Sequence, residues 1–183
     1  QYEILSQCDS PQDSVYVYQK IESELQEYGV YGESIEVWKE YNKIRKTYST
    51  FVEYSVPNLW APEAYAKIGR NDEAFALMKE YEETYNPPFD SHLLLGYLLL
   101  YKTLEDVENT EKYMNLLKEE FTRLGGDLLI DMIIYENAMD AELAIWKENY
   151  DEAIELIHVN RRKDWDKMQS VLSKAHRLKG ELD

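Results

Sequence analysis

Cysteine is nearly missing from this chain: Cys8 stands alone among 183 residues, which excludes an intrachain disulfide and a cysteine-based metal site. Glycine and proline are scarce too, at seven and five residues, so long elements joined by short turns are expected, and helix is favoured over sheet. No stretch approaches the roughly 20 apolar residues of a membrane span; the longest apolar run, residues 92–101, reads as a core helix. Positive charge is outnumbered, 20 Lys and Arg against 36 Asp and Glu, for a formal charge of −16. That balance argues against sequence-independent nucleic-acid binding and against docking on anionic lipid, both of which need a basic face. It is compatible with a basic partner, but the plainer reading is that acidic helix faces only keep the chain solvated and monomeric. The chain opens at Gln1 without Met or a targeting segment. This fits a secreted or periplasmic form with its signal peptide removed, and it also fits a cytoplasmic fragment.

What is present describes a folded, soluble, helical chain. Hydrophobic residues make up 44% and charged residues 31%, enough apolar surface to offset chain entropy. Residues 1–12 lack a clean period and read as a leader or the end of a preceding element, whereas 13–183 carry helical periodicity throughout. Asp13 or Ser14 is placed to cap a helix with Val15, Tyr18, Ile21, Leu25 and Tyr28 on one stripe, ended by Gly29. A long second helix follows, with Ile35, Trp38, Tyr41, Ile44, Tyr48 and Phe51 inward and Pro57 as its latest end. A short helix closes at Gly69, with Asn71 or Asp72 capping the next, which carries Ala74, Leu77, Met78 and Tyr81. Residues 93–101 are expected to be the most buried helix. Thr110, Tyr113, Met114, Leu117 and Phe121 trace another, stopped at Gly125 and Gly126. Residues 128–147 form a helix of about five turns, followed by one with Ala153, Ile154, Leu156 and Ile157 inward. A last helix, 165–178, capped by Asp164, carries Trp165, Met168, Val171, Leu172 and Ala175 inward and basic residues outward, as a terminal cap of an array requires.

Aligning the turns reveals a period. Ser34, Ala74, Thr110 and Ala153 each follow a turn and open the apolar stripe of a second helix, at separations of 40, 36 and 43 residues. Small residues there let the two helices of a hairpin approach closely. In residues 64–85 the positions Tyr65, Gly69 and Ala74, with Pro87 beyond, resemble the tetratricopeptide repeat. Residues 150–154 repeat the second-helix opening, and residues 33–35 and 110–113 are poorer copies. The pattern departs from the family at Thr103, where Gly is expected, at an insertion around residues 105–109, and at Glu148. The resemblance spans roughly residues 15–178 and implies an all-α fold: a right-handed superhelix of antiparallel hairpins, about four units plus a C-terminal capping helix.

Catalytic and metal constellations are weak. His92, His158 and His176 fall on three different helices without a partner at helical ligand spacing; no nucleophile elbow or phosphate loop occurs. Adjacent carboxylates such as Glu82 and Glu83 belong to solvated faces. No cofactor and no catalysis are expected of this chain. In the family that it resembles, the first helices of successive repeats line a concave groove. The matching positions include Tyr16, Gln19 and Ser23, then Leu59, Glu63 and Lys67, then Leu93, Tyr97 and Tyr101, then Tyr135, Glu142 and Trp146. Of these, Glu63, Lys67, Tyr97, Tyr101, Tyr135, Glu142 and Trp146 are the peptide-groove candidates, although for any single tyrosine ordinary packing is the better reading. Aromatic rings and carboxylates suit a protein or peptide with basic residues. The Lys, Asn and Arg clamp that family members use for acidic carboxyl termini is replaced by Gln19, Ser23, Leu59, Glu63, Ala138 and Glu142. The resulting expectation is a non-catalytic protein-binding scaffold. An alternative makes it the regulatory module of an enzyme or sensor whose catalytic part lies elsewhere, and a third reading is self-association through repeat stacking.

Overall fold

The computed structural model describes residues 11–47, 59–84, 90–125, 139–159 and 165–180. Among the described residues there are nine helices and no strand. The chain divides into two compact units, 1–96 and 97–183, with the division inside one helix.

The first unit holds α1 (Pro11–Glu27), α2 (Tyr31–Thr47), α3 (Trp60–Lys67), α4 (Asn71–Thr84) and the first half of α5 (Asp90–Thr103). In it α1 packs on α2, α2 on α3, and α3 on α4. Helix α1 begins at Pro11, ahead of the expected cap at Asp13 or Ser14; proline is well tolerated in a first turn, where its missing N–H has no helical partner. Ile35, Trp38 and Tyr41 of α2 are buried, and Trp38 meets Tyr65 of α3 edge to face at 6.3 Å between ring centroids. Tyr48, Phe51 and Pro57 lie outside the described residues. Between α1 and α2 sits a polar group that the stripe analysis missed. Glu22 is buried, and Gln26 donates from Nε2 both to its carboxylate (3.2 Å) and to the Ser34 hydroxyl oxygen (2.9 Å). Buried polar atoms need such partners, and the network ties the two helices in one register.

Ala74, Leu77, Met78 and Tyr81 of α4 are all buried, as the stripe requires. Gly96 matters for space rather than for backbone freedom. A Cβ built there would stand 2.9 Å from Met78 Cε and 3.0 Å from Leu59 Cδ2, so the bare backbone lets α5 come up against α4 and the residue preceding α3.

The second unit continues α5 into α6 (Val107–Arg123), α7 (Met139–Trp146), α8 (Tyr150–Val159) and α9 (Trp165–Lys179). Helix α7 packs on α8 and touches α6, and α9 lies mainly on α8. Ala141, Ala144 and Ile145 of α7 join Ala153 and Ile157 of α8 and Val171 and Ala175 of α9 in one apolar cluster, padded by Tyr150, Ile154, Leu156 and Leu172. Most of the expected five-turn helix before Met139, together with Gly126 and Asp164, lies outside the described residues, as do the side chains of Trp165 and Met168.

Among the described residues one turn is built four times. Gly29, Gly69, Glu105 and Glu148 all have positive φ (72°, 76°, 54° and 62°). In each case the next residue donates its N–H to the carbonyl five positions back: Val30 to Leu25 (2.8 Å), Arg70 to Tyr65 (2.9 Å), Asp106 to Tyr101 (3.0 Å) and Asn149 to Ala144 (2.8 Å). This is the Schellman arrangement that closes a helix. The same four residues then accept the first bond of the next helix, from Ser34, Ala74, Thr110 and Ala153 respectively, at 2.9–3.1 Å. All four of those small residues have 0% exposure. The period found by aligning turns is therefore a physical one. Two details are corrected. The left-handed position of the third turn is Glu105, not Thr103, because α5 runs on to Thr103 before it turns. The second turn is capped at Arg70, not at Asn71 or Asp72, which already lie within α4.

A left-handed conformation costs a residue with a Cβ about 1 kcal/mol more than it costs glycine. Glu148→Gly is expected to raise stability by about 0.5–1 kcal/mol, and Gly69→Ala, where a Cβ would touch nothing, to lower it by about 1 kcal/mol through backbone strain alone. Urea unfolding of the two variants beside the parent chain checks both signs.

Candidate binding face

The groove candidates separate by unit. In the first, Gln19, Ser23 and Tyr16 of α1 are exposed, Tyr16 at 62%. Leu59 is buried and cannot face a ligand; its side chain packs into the space beside Gly96. Glu63 and Lys67, one turn apart on α3, hold each other at 4.0 Å. Nearby, Arg70 places its guanidinium 4.9 Å from the centre of the Tyr65 ring while Nε donates to Glu73 at 2.9 Å. That contact holds the Glu73 carboxyl below its ordinary range. Tyr65, the aromatic of the repeat pattern, thus meets both the Trp38 ring, nearly perpendicular to it, and a cation.

The second unit brings more together. Tyr97 and Tyr101 lie one turn apart on α5, and Tyr113 joins them from α6. The three rings are nearly parallel, with centroids 6.2 Å (Tyr97 to Tyr101), 5.0 Å (Tyr97 to Tyr113) and 5.3 Å (Tyr101 to Tyr113) apart. All three are half-buried, so they form an aromatic shelf with one side against the protein. Burial pushes the Tyr101 hydroxyl above its ordinary pKa, reinforced by the negative charge of Asp106. Lys112 stands 5.3 Å from the Tyr113 ring centre. Asp106 itself caps α6, accepting from Asn109 Nδ2 (2.8 Å) and from its backbone N–H (3.0 Å), and these bonds hold its carboxyl below the ordinary range.

Helix α7 carries Glu142 and Trp146, again one turn apart and hence on one side of the helix. Glu142, expected to meet a basic residue of a partner, has Lys102 of α5 beside it, Nζ to Oε2 3.0 Å. Lys118 stands 3.8 Å from Asp140, and Lys147 pairs with Glu111 at 2.8 Å, so α7 is held to α5 and α6 by lysine–carboxylate contacts. Leu93 is half-buried on α5, and Tyr135 and Ala138 lie outside the described residues. Sequence reasoning missed Lys102, whose partner is 40 residues away, and placed Tyr113 only in a core stripe. No local spacing signals either role.

His158 is exposed on α8, and among the described residues no three His, Cys, Asp or Glu side chains gather as a metal site. No described helix is long and apolar enough to cross a membrane. No family model, no curated protein and no solved structure matches the chain.

Proposed function

We propose that the chain is a non-catalytic scaffold that binds a protein or peptide, with its hairpins stacked as a right-handed tetratricopeptide-like superhelix. Four copies of one Schellman turn, each followed by a fully buried small residue, support the repeat. The binding face lies on α5, α6 and α7. The observation that carries it is the shelf of Tyr97, Tyr101 and Tyr113, with Glu142 of α7 paired to Lys102, the residue after Tyr101. Stacked rings offer broad contact at small entropy cost, and the neighbouring carboxylate supplies direction and selectivity. An extended or helical segment that lays an aromatic or aliphatic anchor on the shelf fits this chemistry.

Selection of a random peptide library displayed on phage tests the reading. Peptides selected on the parent chain are expected to lose at least about tenfold in affinity, about 1.4 kcal/mol, against Tyr101→Leu and Tyr97→Leu. Both variants keep most of the buried volume, and circular dichroism verifies their folding. Selected peptides that bind both variants as tightly as the parent chain would place the binding surface elsewhere.

A further inference from the structure

Two buried polar atoms on one side of α7 take no hydrogen bond within the described residues. Glu142 Oε2 is shielded from solvent, and the Lys102 ammonium, though 3.0 Å away, is not aligned to donate to it. One turn on, the Trp146 indole Nε1–H is likewise shielded and has no acceptor among the described residues. The residues that carry this acceptor and this donor are four positions apart, about 6 Å of helix rise. Each carries the penalty of a polar group withdrawn from water without a full partner. Lys102 and Glu142 keep some access to solvent, at 22% and 24% side-chain exposure.

We infer that Lys102 is a built-in placeholder at an arginine site: a ligand arginine displaces its ammonium from Glu142 while the ligand's own main-chain carbonyl accepts from Trp146. This rests on the binding-face reading and names the ligand chemistry for it. A guanidinium is planar and presents a fork of donors that matches a carboxylate two-to-two, whereas an ammonium is a single, strongly hydrated point of charge. Exchanging one for the other leaves net charge at Glu142 unchanged and completes its hydrogen bonding. An arginine in an extended ligand carries both groups, a guanidinium for Glu142 and a main-chain carbonyl for Trp146. The lysine also sets selectivity, since a ligand without arginine gains nothing by evicting it. A carboxylate-ended ligand would meet Glu142 as a like charge.

The test follows the Trp146 indole N–H resonance by NMR while N-acetyl-arginine amide is titrated, with N-acetyl-citrulline amide as the uncharged isostere. Saturable shifts are expected for arginine and none for citrulline. Lys102→Gln, which leaves a weaker neutral donor at Glu142, is expected to tighten arginine binding about tenfold. Lys102→Arg is expected to weaken it by at least as much, because a tethered guanidinium then fills the site. Glu142→Gln should remove the response. Arginine binding that is unchanged by both Lys102 variants would overturn the placeholder and leave the binding face standing. A Trp146 resonance indifferent to arginine in the parent chain and in Lys102→Gln would overturn the arginine site itself, while the binding-face reading continues to stand or fall by the selected peptides.

Discussion

Tyr41→Ala is expected to destabilise the first unit by about 3–5 kcal/mol, the usual cost of deleting a fully buried aromatic ring. Tyr41 has 0% exposure and closes the α2 stripe begun by Ile35 and Trp38. Helix α2 packs on both α1 and α3, so a hole at this level withdraws contacts from a helix with two neighbours. A repeat array makes such losses spread, because each hairpin is held chiefly by the next one. Tyr28 provides the comparison: it is 81% exposed in the first turn, and Tyr28→Ala should change stability by less than about 0.5 kcal/mol. Urea unfolding followed by far-UV circular dichroism reads both variants.

Ala74→Leu is expected to cost about 3 kcal/mol, at the upper end for forcing extra carbons into a packed site. Ala74 has 0% exposure and its N–H starts α4 by bonding to Arg70, so the side chain sits where α3 and α4 are nearest their shared turn. Three added carbons there have to push the two helices apart. Two positions along the same helix, Ala76 is exposed, and Ala76→Leu should be close to neutral, since leucine is almost as good a helix former as alanine. The contrast between two identical chemical changes isolates packing from helix propensity.

The fold was legible where a residue type has only one use. Gly29 and Gly69 mark left-handed turns, and a small residue five positions later marks the close approach, so the hairpins at Ser34 and Ala74 follow from spacing alone. Glu105 was illegible because glutamate has no preference for positive φ; the turn's own hydrogen bonds, from Glu105 to Lys102 and from Asp106 to Tyr101, close the helix there. Glu22 was hidden for a similar reason. A carboxylate on a helix normally faces water, and its burial depends on Gln26 and on Ser34 from the next helix. In the candidate site, the tyrosines and Glu142 could be named from the groove pattern, but their environment could not. That Glu142 is already engaged by Lys102, that Tyr113 joins Tyr97 and Tyr101 from another helix, and that Leu59 is spent on packing beside Gly96 all depend on contacts between distant segments. Periodicity assigns a residue to a face of its own helix and is silent on what the neighbouring helix brings to it.

The account stands on the claim that one packing unit occurs four times, at Ser34, Ala74, Thr110 and Ala153. Urea unfolding of Ser34→Leu, Ala74→Leu, Thr110→Leu and Ala153→Leu, compared with Ala76→Leu, addresses it most directly. Equivalent sites predict a loss of more than about 1.5 kcal/mol at every one of the four and almost none at Ala76. A leucine accepted at any of the four as readily as at Ala76 would mean that the hairpin there is not the same unit, and the repeat would fail at that point.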